Sequence, residues 1–543
     1  MNSPATDRPG SDSLRRRVAE LLVLRASGHL SDQQRRYPQW ELPNSELQRL
    51  LQEGVGGVIL LGGSAVELQQ RTQQLQGWSE HRLLFCADVE EGVGQRFEGA
   101  SWLVPPLALG RLHQQEPKLA LNLSERYGRC TGEQARRCGL NWVLGPVCDV
   151  NNNPANPVIN VRAWGEDAAT AGALAAAFQR GLSRAGVLGC AKHFPGHGDT
   201  SSDSHLDLPV LPHNRERLAE IELPPFQEVI AAGVDSVMTA HLLLPELDQD
   251  HPATLSKTVL TNLLRNDLCF DGLVVTDALV MEAITKRYGS AEAAVLAFEA
   301  GADLILMPAD ADAAIQGLCE AFRSGRLPKQ RLEDSRQRRH QALRRSQRHH
   351  PNDSSQDTPI PSESERQLEQ ELVTACLHLQ PGTGINSSQG INLIRVDGIV
   401  PCPVLTGTAP ALRLPEAEGF KSLVIHSQGL SPWQPEPDSP LALDRLGEGP
   451  VLLQLFIRGN PFRGSQDSIE PWLAAVQQLQ KLDRLAGLVV YGSPYVWEQL
   501  RIVLKPDIPA AYSPGQMPEA QRQVLKSLLN RSHSAMGNAD FTD

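Results

Sequence analysis

Fourteen consecutive residues, 192–205, hold a high density of side chains that transfer protons or bind polar groups: three histidines, two aspartates and a lysine. A proline and two glycines within 195–198 interrupt regular structure, so these side chains are predicted to lie on a loop. Asp203 and His205 are two residues apart, a spacing at which a carboxylate can orient an imidazole and raise its basicity. The pattern predicts an active-site loop, and a surface loop with incidental histidines is the less favoured alternative.

The three histidines of this loop, His193, His197 and His205, also raise the alternative of a zinc site. They lack the H-E-x-x-H spacing or the paired cysteines that accompany such sites. The sequence therefore predicts neither a metal nor any other cofactor.

Short apolar runs precede the loop and follow it, and they have the composition of strands that are buried on both faces. Helix-like segments such as 168–185 and 291–301 separate them. Repeated strand–helix units predict an α/β fold of the (β/α)8 TIM-barrel type. The predicted strands are 57–61, 83–87, 142–144, 186–191, 235–239, 273–276 and 304–307.

A polar residue stands at the end of most of these predicted strands. The five residues, in chain order, are Asp88, Asp149, Lys192, His241 and Asp277. The carboxyl ends of all strands of a parallel barrel meet at one face, and the active site lies there. We therefore expect these five side chains to belong to one site.

The chain is too long for a single ordinary domain. The arginine-rich segment 328–350 is predicted as a last barrel helix with a solvated basic face, in preference to a nucleic-acid patch. We predict a catalytic barrel domain over 1–345, a Ser/Pro/Asp-rich linker over 346–365 and a smaller α/β sandwich domain over 366–543. Its predicted strands are 372–379, 390–396, 422–426, 451–457, 487–491 and 509–512, with helices at 469–482 and 519–529.

The composition indicates which kinds of partner are not expected and which cell compartment fits the chain. The net charge of −12 argues against a nucleic-acid partner, because phosphate contacts need a basic surface. No apolar run approaches the length of a membrane span, so no membrane partner is expected. Nine scattered cysteines without a C-x-x-C pair fit a reducing compartment. Together with an N-terminus that does not look like a secretory signal, they predict a cytoplasmic location.

Five blocks of the first predicted domain, in order, resemble family 3 of the glycoside hydrolases, in its β-N-acetylglucosaminidase branch. In the loop over 192–205, every position matches the family pattern K-H-F-P-G-H-G, then four residues, then D-S-H. The second domain is only generically similar to the α/β sandwich of the family. The matching blocks are 144–154, 160–167, 192–205, 238–241 and 272–279.

The resemblance implies roles for individual residues. Asp277 matches the catalytic nucleophile, His205 the acid/base and Asp203 its orienting partner. Predicted sugar-binding residues are Asp88, Arg96, Arg162, Lys192, His193 and, from its position after a strand, His241. One departure is Val93, which stands where the commoner form of the family has a second glycine.

These residues suit cleavage of a glycoside with retention of configuration, which needs a carboxylate nucleophile and a proton donor. A histidine can be that donor, because its ordinary pKa of about 6.5 lets it act as acid and then as base. The resemblance implies removal of terminal β-N-acetylglucosamine from a carbohydrate substrate, as in the recycling of cell-wall peptidoglycan fragments.

Three alternatives remain open from the sequence. A phosphorylase of the same family would use phosphate instead of water, and a neutral histidine repels phosphate less than a carboxylate does. A β-glucosidase is less favoured, because that branch resembles enzymes without the D-S-H loop. An inactive sugar-binding protein would have lost Asp277, Asp203 or His205, and all three are present.

Overall fold

A computed structural model describes residues 13–200, 208–348, 358–380, 384–385, 389–396, 402–426, 433, 441–458 and 471–529. The chain divides into two compact units. The first comprises Met1–Trp102 and Leu109–Glu365, and the second comprises Leu103–Ala108 and Arg366–Asp543.

The first unit is an α/β fold in which every paired strand is parallel. The strands are β1 Leu22–Ser27, β2 Gly57–Leu61, β3 Leu84–Ala87, β4 Trp142–Val143, β5 Cys190–Phe194, β6 Ser236–Thr239, β7 Leu273–Val275 and β8 Ile305–Leu306. One sheet has five strands in the order β4-β3-β2-β1-β8, and the other has three in the order β5-β6-β7. Isolated parallel bridges join Trp142 to Leu188, which precedes β5, and Val275 to Leu304, which precedes β8.

Helices alternate with these strands, as the sequence predicts. The Ala-rich helix α6 begins after Asp167, whose carboxylate accepts a hydrogen bond from the backbone of Thr170 and so caps the first turn. The helices are α1 Leu14–Ala19, α2 Asn44–Glu53, α3 Ala65–Gly77, α4 Pro106–His113, α5 Pro117–Arg137, α6 Ala168–Arg184, α7 Arg215–Arg217, α8 Leu223–Ala231, α9 Glu282–Thr285, α10 Ser290–Ala300, α11 Ala311–Ser324 and α12 Lys329–Arg348. Two π-helical segments occupy Leu218–Glu222 and Thr258–Asp267.

Two strands of this unit differ from the prediction. The strand predicted at 186–191 lies further along, at Cys190–Phe194, because the chain turns at Gly186, where φ is +74°. Strand β1 was not among the predicted strands at all. Glu20 and Arg25 interrupt its apolar pattern, although the strand pairs in register with both β2 and β8.

The second unit contains a six-stranded sheet with helices between its strands. The elements are α13 Glu363–Cys376, β9 His378–Gln380, β10 Gly390–Val396, α14 Pro410–Ala417, β11 Phe420–Ile425, β12 Val451–Ile457, α15 Trp472–Lys481, β13 Leu485–Gly492, α16 Pro494–Arg501, β14 Ala510–Ser513 and α17 Pro518–Leu529. The strand order is β11-β10-β12-β13-β14-β9, and all neighbours are parallel except β9, which runs antiparallel to β14. Leucine, valine and tryptophan side chains of the central strands and of α15 and α16 form a buried core.

The strand predicted over 372–379 is wrong. Most of that segment belongs to helix α13, and only its last residues enter β9. The helix buries Leu368, Leu372 and Cys376, which are four residues apart and so lie on one helical face. None of the helices within the described residues is both long and apolar enough to cross a membrane.

Candidate active site

The carboxyl ends of neighbouring strands hold most of the predicted site residues. Asp88 directly follows β3, and Lys192 and His193 lie on β5. Asp149 lies in the segment after β4, where Val147 pairs with Lys192. Because the strands are parallel, these residues meet at one edge of the sheets.

Four charged side chains form a compact ion cluster at this edge, which we call the Glu90 cluster: Asp88, Glu90, Arg162 and Lys192. The Lys192 Nζ atom lies 2.7 Å from Asp88 Oδ1 and 2.7 Å from Glu90 Oε1. The guanidinium of Arg162 donates from Nε and Nη2 to the two oxygens of Glu90, at 2.8 and 2.9 Å. Two carboxylates thus hold two cations side by side.

Opposite charges nearby keep Glu90, Arg162 and Lys192 ionised. Burial alone would raise the pKa of Glu90, but Arg162 and Lys192 outweigh it and hold that pKa well below its usual value. Burial would lower the pKa of Lys192, but Asp88 and Glu90 raise it above its usual value. The cluster therefore presents fixed ammonium and guanidinium donors over the whole physiological pH range.

The Glu90 cluster retains capacity to bind a ligand. The Asp88 side chain is 36 % exposed, and its Oδ2 atom has no hydrogen-bond partner among the described residues. Lys192 directs two of its three protons to carboxylates. Arg96, a further predicted sugar-binding residue, is exposed and donates from Nε to the backbone oxygen of Asp88 at 3.0 Å.

His193 is oriented by Asp149. Its Nδ1 atom lies 2.7 Å from Asp149 Oδ2, and its backbone N–H donates to the same carboxylate. Since a carboxylate only accepts, Nδ1 bears the proton, and in the neutral ring Nε2 is an acceptor. Burial would raise the pKa of Asp149, but His193 and His197 lower it, so this carboxylate stays ionised.

The start of the predicted active-site loop, 192–200, is packed tightly against the segment after β4. Asp149 accepts from the backbone N–H of His197 at 2.7 Å, and Asn156 donates to the backbone oxygens of His197 and Gly198. A Cβ atom at Gly198 would lie 1.7 Å from the backbone oxygen of Val150, so only glycine fits there. Burial lowers the pKa of His197 to about 4; Asp149 opposes this shift, and His193 adds to it.

Asp277 follows β7 and is half-buried. Its Oδ1 atom accepts from the backbone N–H of Ala278 at 2.7 Å. His241, fully buried after β6, places Nδ1 2.8 Å from Thr254 Oγ1 and Nε2 3.1 Å from the oxygen of Ala278. Both ring nitrogens of His241 thus contact protein groups, a geometry that favours holding the backbone beside Asp277 over binding a sugar.

Asp203 and His205 fall within 201–207, outside the described residues, so the predicted acid/base pair stays a prediction. Glu90 is not among the residues predicted from the sequence, although it is the centre of the ion cluster. The signal was present in the alternation Asp88-Val89-Glu90, which would place both carboxylates on one face of an extended segment.

Comparison with known proteins defines the family. Residues 13–342 match the glycosyl hydrolase family 3 N-terminal domain, and residues 384–530 match the bacterial glycosyl hydrolase family 3 C-terminal domain. The chain therefore belongs to glycoside hydrolase family 3 and is an enzyme of this family.

Two relatives of the chain are named β-hexosaminidases. The chain is 30 % identical to β-hexosaminidase A of Pseudoalteromonas piscicida, over 65 % of this chain and 64 % of that enzyme. It is 36 % identical to a β-hexosaminidase of Chromobacterium violaceum, over 51 % of this chain and 79 % of that one. The chain thus spans slightly less than two thirds of the first relative and more of the second.

Among solved structures, a family 3 β-N-acetylglucosaminidase from Paenibacillus sp. is 27 % identical. It superposes with a TM-score of 0.77 over 96 % of this chain and 97 % of that one. A β-glucoside phosphorylase has a TM-score of 0.74 over 96 % of this chain and 92 % of its own, but its identity of 20 % shows a shared fold alone.

Proposed function

We propose that this protein is a retaining exo-β-N-acetylglucosaminidase. The observation that carries the proposal is the placement of the Glu90 cluster, His193 and Asp277 at the carboxyl ends of parallel strands of one unit. Hydroxyl groups of a terminal sugar would accept from Lys192, Arg162 and Arg96 and donate to Asp88. The name of the Paenibacillus enzyme, a β-N-acetylglucosaminidase, supports N-acetylglucosamine as that sugar, and the β-hexosaminidase names of the other relatives agree with a hexosamine.

In the proposed mechanism Asp277 attacks the anomeric carbon and forms a covalent glycosyl-enzyme, while the aglycone oxygen departs with a proton from His205. His205 then removes a proton from water, which attacks the same carbon and releases Asp277. Asp203 would orient His205 and stabilise its imidazolium form, as the aspartate of a Ser-His-Asp triad does. The reaction needs no metal or cofactor.

We infer that the two sheets of the first unit form one closed (β/α)8 barrel. The backbone N–H of Val143 donates to Leu188 at 2.8 Å, and that of Thr276 donates to Leu304 at 3.1 Å, which supports closure at both seams. We further propose a catalytic domain at 1–345, a linker at 346–365 and a sandwich domain at 366–543. Muropeptide-like cell-wall fragments as natural substrates and a cytoplasmic location belong to the same proposal.

Chromogenic β-glycosides test the proposed activity directly. A chromogenic β-N-acetylglucosaminide and the matching β-glucoside are compared, each with and without inorganic phosphate. We expect hydrolysis of the N-acetylglucosaminide at a rate that phosphate does not change. A sugar 1-phosphate product would indicate a phosphorylase, preference for the glucoside would indicate a β-glucosidase, and no turnover of either would indicate a binding protein.

A further inference from the structure

Arg25 is a charged residue on β1 that the proposed mechanism does not use. In the parallel register it pairs with Ile59 on β2, which pairs with Cys86 on β3. Residues in register on a parallel sheet point to the same face, and Asp88, two residues after Cys86, shares that face. Arg25 is therefore on the same face of the sheet as Asp88, two strands away.

The guanidinium of Arg25 has unused hydrogen-bonding capacity. Its side chain is only 15 % exposed, yet it forms no hydrogen bond with any described residue. The Nε atom is buried without a partner. Several other arginines also have a buried Nε atom without a partner, but the terminal nitrogens of Arg25 form no hydrogen bond with a described residue either, so its donors are available to a ligand.

The segment that follows β1 holds this guanidinium in place by its rings. The Arg25 Cζ atom lies 5.1 Å from the ring centroid of Tyr37 and 5.4 Å from that of Trp40, and the two rings stack on each other. The backbone N–H of Leu42 donates to the Arg25 oxygen, which fixes the segment over the strand end. Cation–π contacts restrain the side chain without consuming its N–H donors.

Glu41 supplies the counter-charge without completing the hydrogen bonding. Its carboxylate is buried, and Oε1 lies 4.0 Å from Arg25 Nη2, beyond hydrogen-bond distance. The other oxygen, Oε2, accepts from the backbone of Tyr37. Burial lowers the pKa of Arg25 below its usual value; Glu41 and Asp88 raise it, and Arg96 lowers it again. The guanidinium thus lies within electrostatic range of two predicted sugar-binding residues.

These contacts define the chemistry of the missing partner. A carboxylate or phosphate would meet the buried charge of Glu41 beside Arg25 and be repelled. A neutral hydroxyl group accepts from a guanidinium without that cost. We propose that Arg25, held by Tyr37 and Trp40, binds a hydroxyl group of the terminal sugar on the Asp88 side of the pocket. This inference rests on the proposed function, because it adds a contact to the same bound sugar.

Monodeoxy sugars test the contact. N-acetylglucosamine and its 3-, 4- and 6-deoxy analogues are used as competitive inhibitors of the wild-type protein and of Arg25→Met. With wild type, removing the hydroxyl group that Arg25 binds should raise the inhibition constant about 10- to 100-fold. With Arg25→Met, the inhibition constant of N-acetylglucosamine itself should rise by the same factor. The inhibition constant of that deoxy analogue should be the same for Arg25→Met as for wild type.

Two results would overturn the inference while leaving the proposed function intact. One is that the effects of the variant and of the missing hydroxyl group on the inhibition constant add; the other is that N-acetylglucosamine inhibits Arg25→Met as strongly as it inhibits wild type. Absence of any inhibition or turnover with wild type would instead remove the proposed function. Arg326→Met is the matched control, because this exposed arginine pairs with Glu292 and Glu299 and should change no inhibition constant. If thermal unfolding shows that Arg25→Met does not fold, Trp40→Leu replaces it, and a partial loss confined to the same deoxy analogue is expected.

Discussion

Two of the buried ion clusters of the first unit lie at opposite ends of its strands. The Glu90 cluster lies at the carboxyl ends. The other, which we call the Glu20 cluster, joins Glu20 to Arg336, Arg339 and His340. Arg339 also donates to the backbone oxygens of Gly56 and Arg82, which come just before β2 and β3. The Glu20 cluster therefore lies at the amino ends.

The clusters differ in whether a carboxylate oxygen remains available to a ligand. Glu20 is the single carboxylate for two arginines, both of its oxygens accept hydrogen bonds, and Arg339 is 1 % exposed with a buried Nε atom that has no partner among the described residues. In the Glu90 cluster two carboxylates match two cations, and the partly exposed Asp88 keeps an oxygen for a ligand. Neither a buried charge nor a buried donor without a partner thus indicates function by itself, whereas an accessible, unused carboxylate oxygen at the carboxyl ends does.

Glu20→Gln should have the largest effect, and it should act on stability alone. Removing one partner of a buried ion pair leaves the other charge uncompensated, which costs about 3–5 kcal/mol of unfolding free energy. Chemical unfolding measures that loss, and kcat/KM measured well below the unfolding temperature should equal that of wild type. A loss of activity in the folded variant would contradict the division of roles.

Glu90→Gln should reduce activity. Without the carboxylate, Arg162 and Lys192 repel each other and move, and misplacement of positioning groups by about 1 Å costs about 100-fold in rate. Steady-state kinetics should show this fall in kcat/KM for the folded protein. Glu90→Asp, which keeps the charge, should recover part of it. If Glu90→Gln had the activity of wild type, the Glu90 cluster would be structural, like the Glu20 cluster.

Acid should lower the stability of the folded chain through His197, which lies at the carboxyl ends of the strands. Its pKa is about 4 in the folded chain and about 6.5 when unfolded, so between these values the unfolded chain binds the extra proton. Stability from this residue is therefore present above pH 6.5 and falls as the pH drops towards 4, by about 2 kcal/mol at pH 5. Unfolding measured from pH 7 to pH 5 should show a shallower decline in His197→Gln. Equal slopes would contradict the assignment.

Glu80→Gln should have the smallest effect and is the control for Glu20→Gln. Glu80 also pairs with an arginine, Arg16, but its side chain is 74 % exposed. Exposed pairs contribute at most about 1 kcal/mol. A loss of stability as large as that of Glu20→Gln would show that burial does not set the scale.

The sequence predicted these features unevenly, for physical reasons. Apolar runs flanked by turn residues gave β2, β10 and β12 with their observed bounds. Strand β1 was missed because Glu20 and Arg25 look like interruptions, whereas in the structure Glu20 belongs to a cluster before the strand and Arg25 lies within it. Charges that tertiary contacts compensate cannot be distinguished from surface charges by composition alone.

The site was predicted in the same uneven way. Asp88 and Lys192 are in contact at the strand ends where they were predicted, because parallel topology brings such residues to one edge whatever their sequence separation. That all five strand-end residues form one site stays a prediction. The pairing of Glu90 with both Arg162 and Lys192 joins residues 72 and 102 positions apart, and no local pattern encodes such contacts. His241 follows a strand as expected, but its ring is engaged by Thr254, 13 residues later.

Trapping of the covalent intermediate tests the central claim most directly. The full chain is incubated with a 5-fluoro N-acetylglucosaminyl fluoride, whose good leaving group favours formation of the glycosyl-enzyme and whose ring fluorine slows its hydrolysis. Mass spectrometry should show one sugar unit per chain, located on the peptide that contains Asp277, and none on Asp277→Ala. Attachment to another carboxylate, such as Asp149, or turnover without any covalent species would contradict the account.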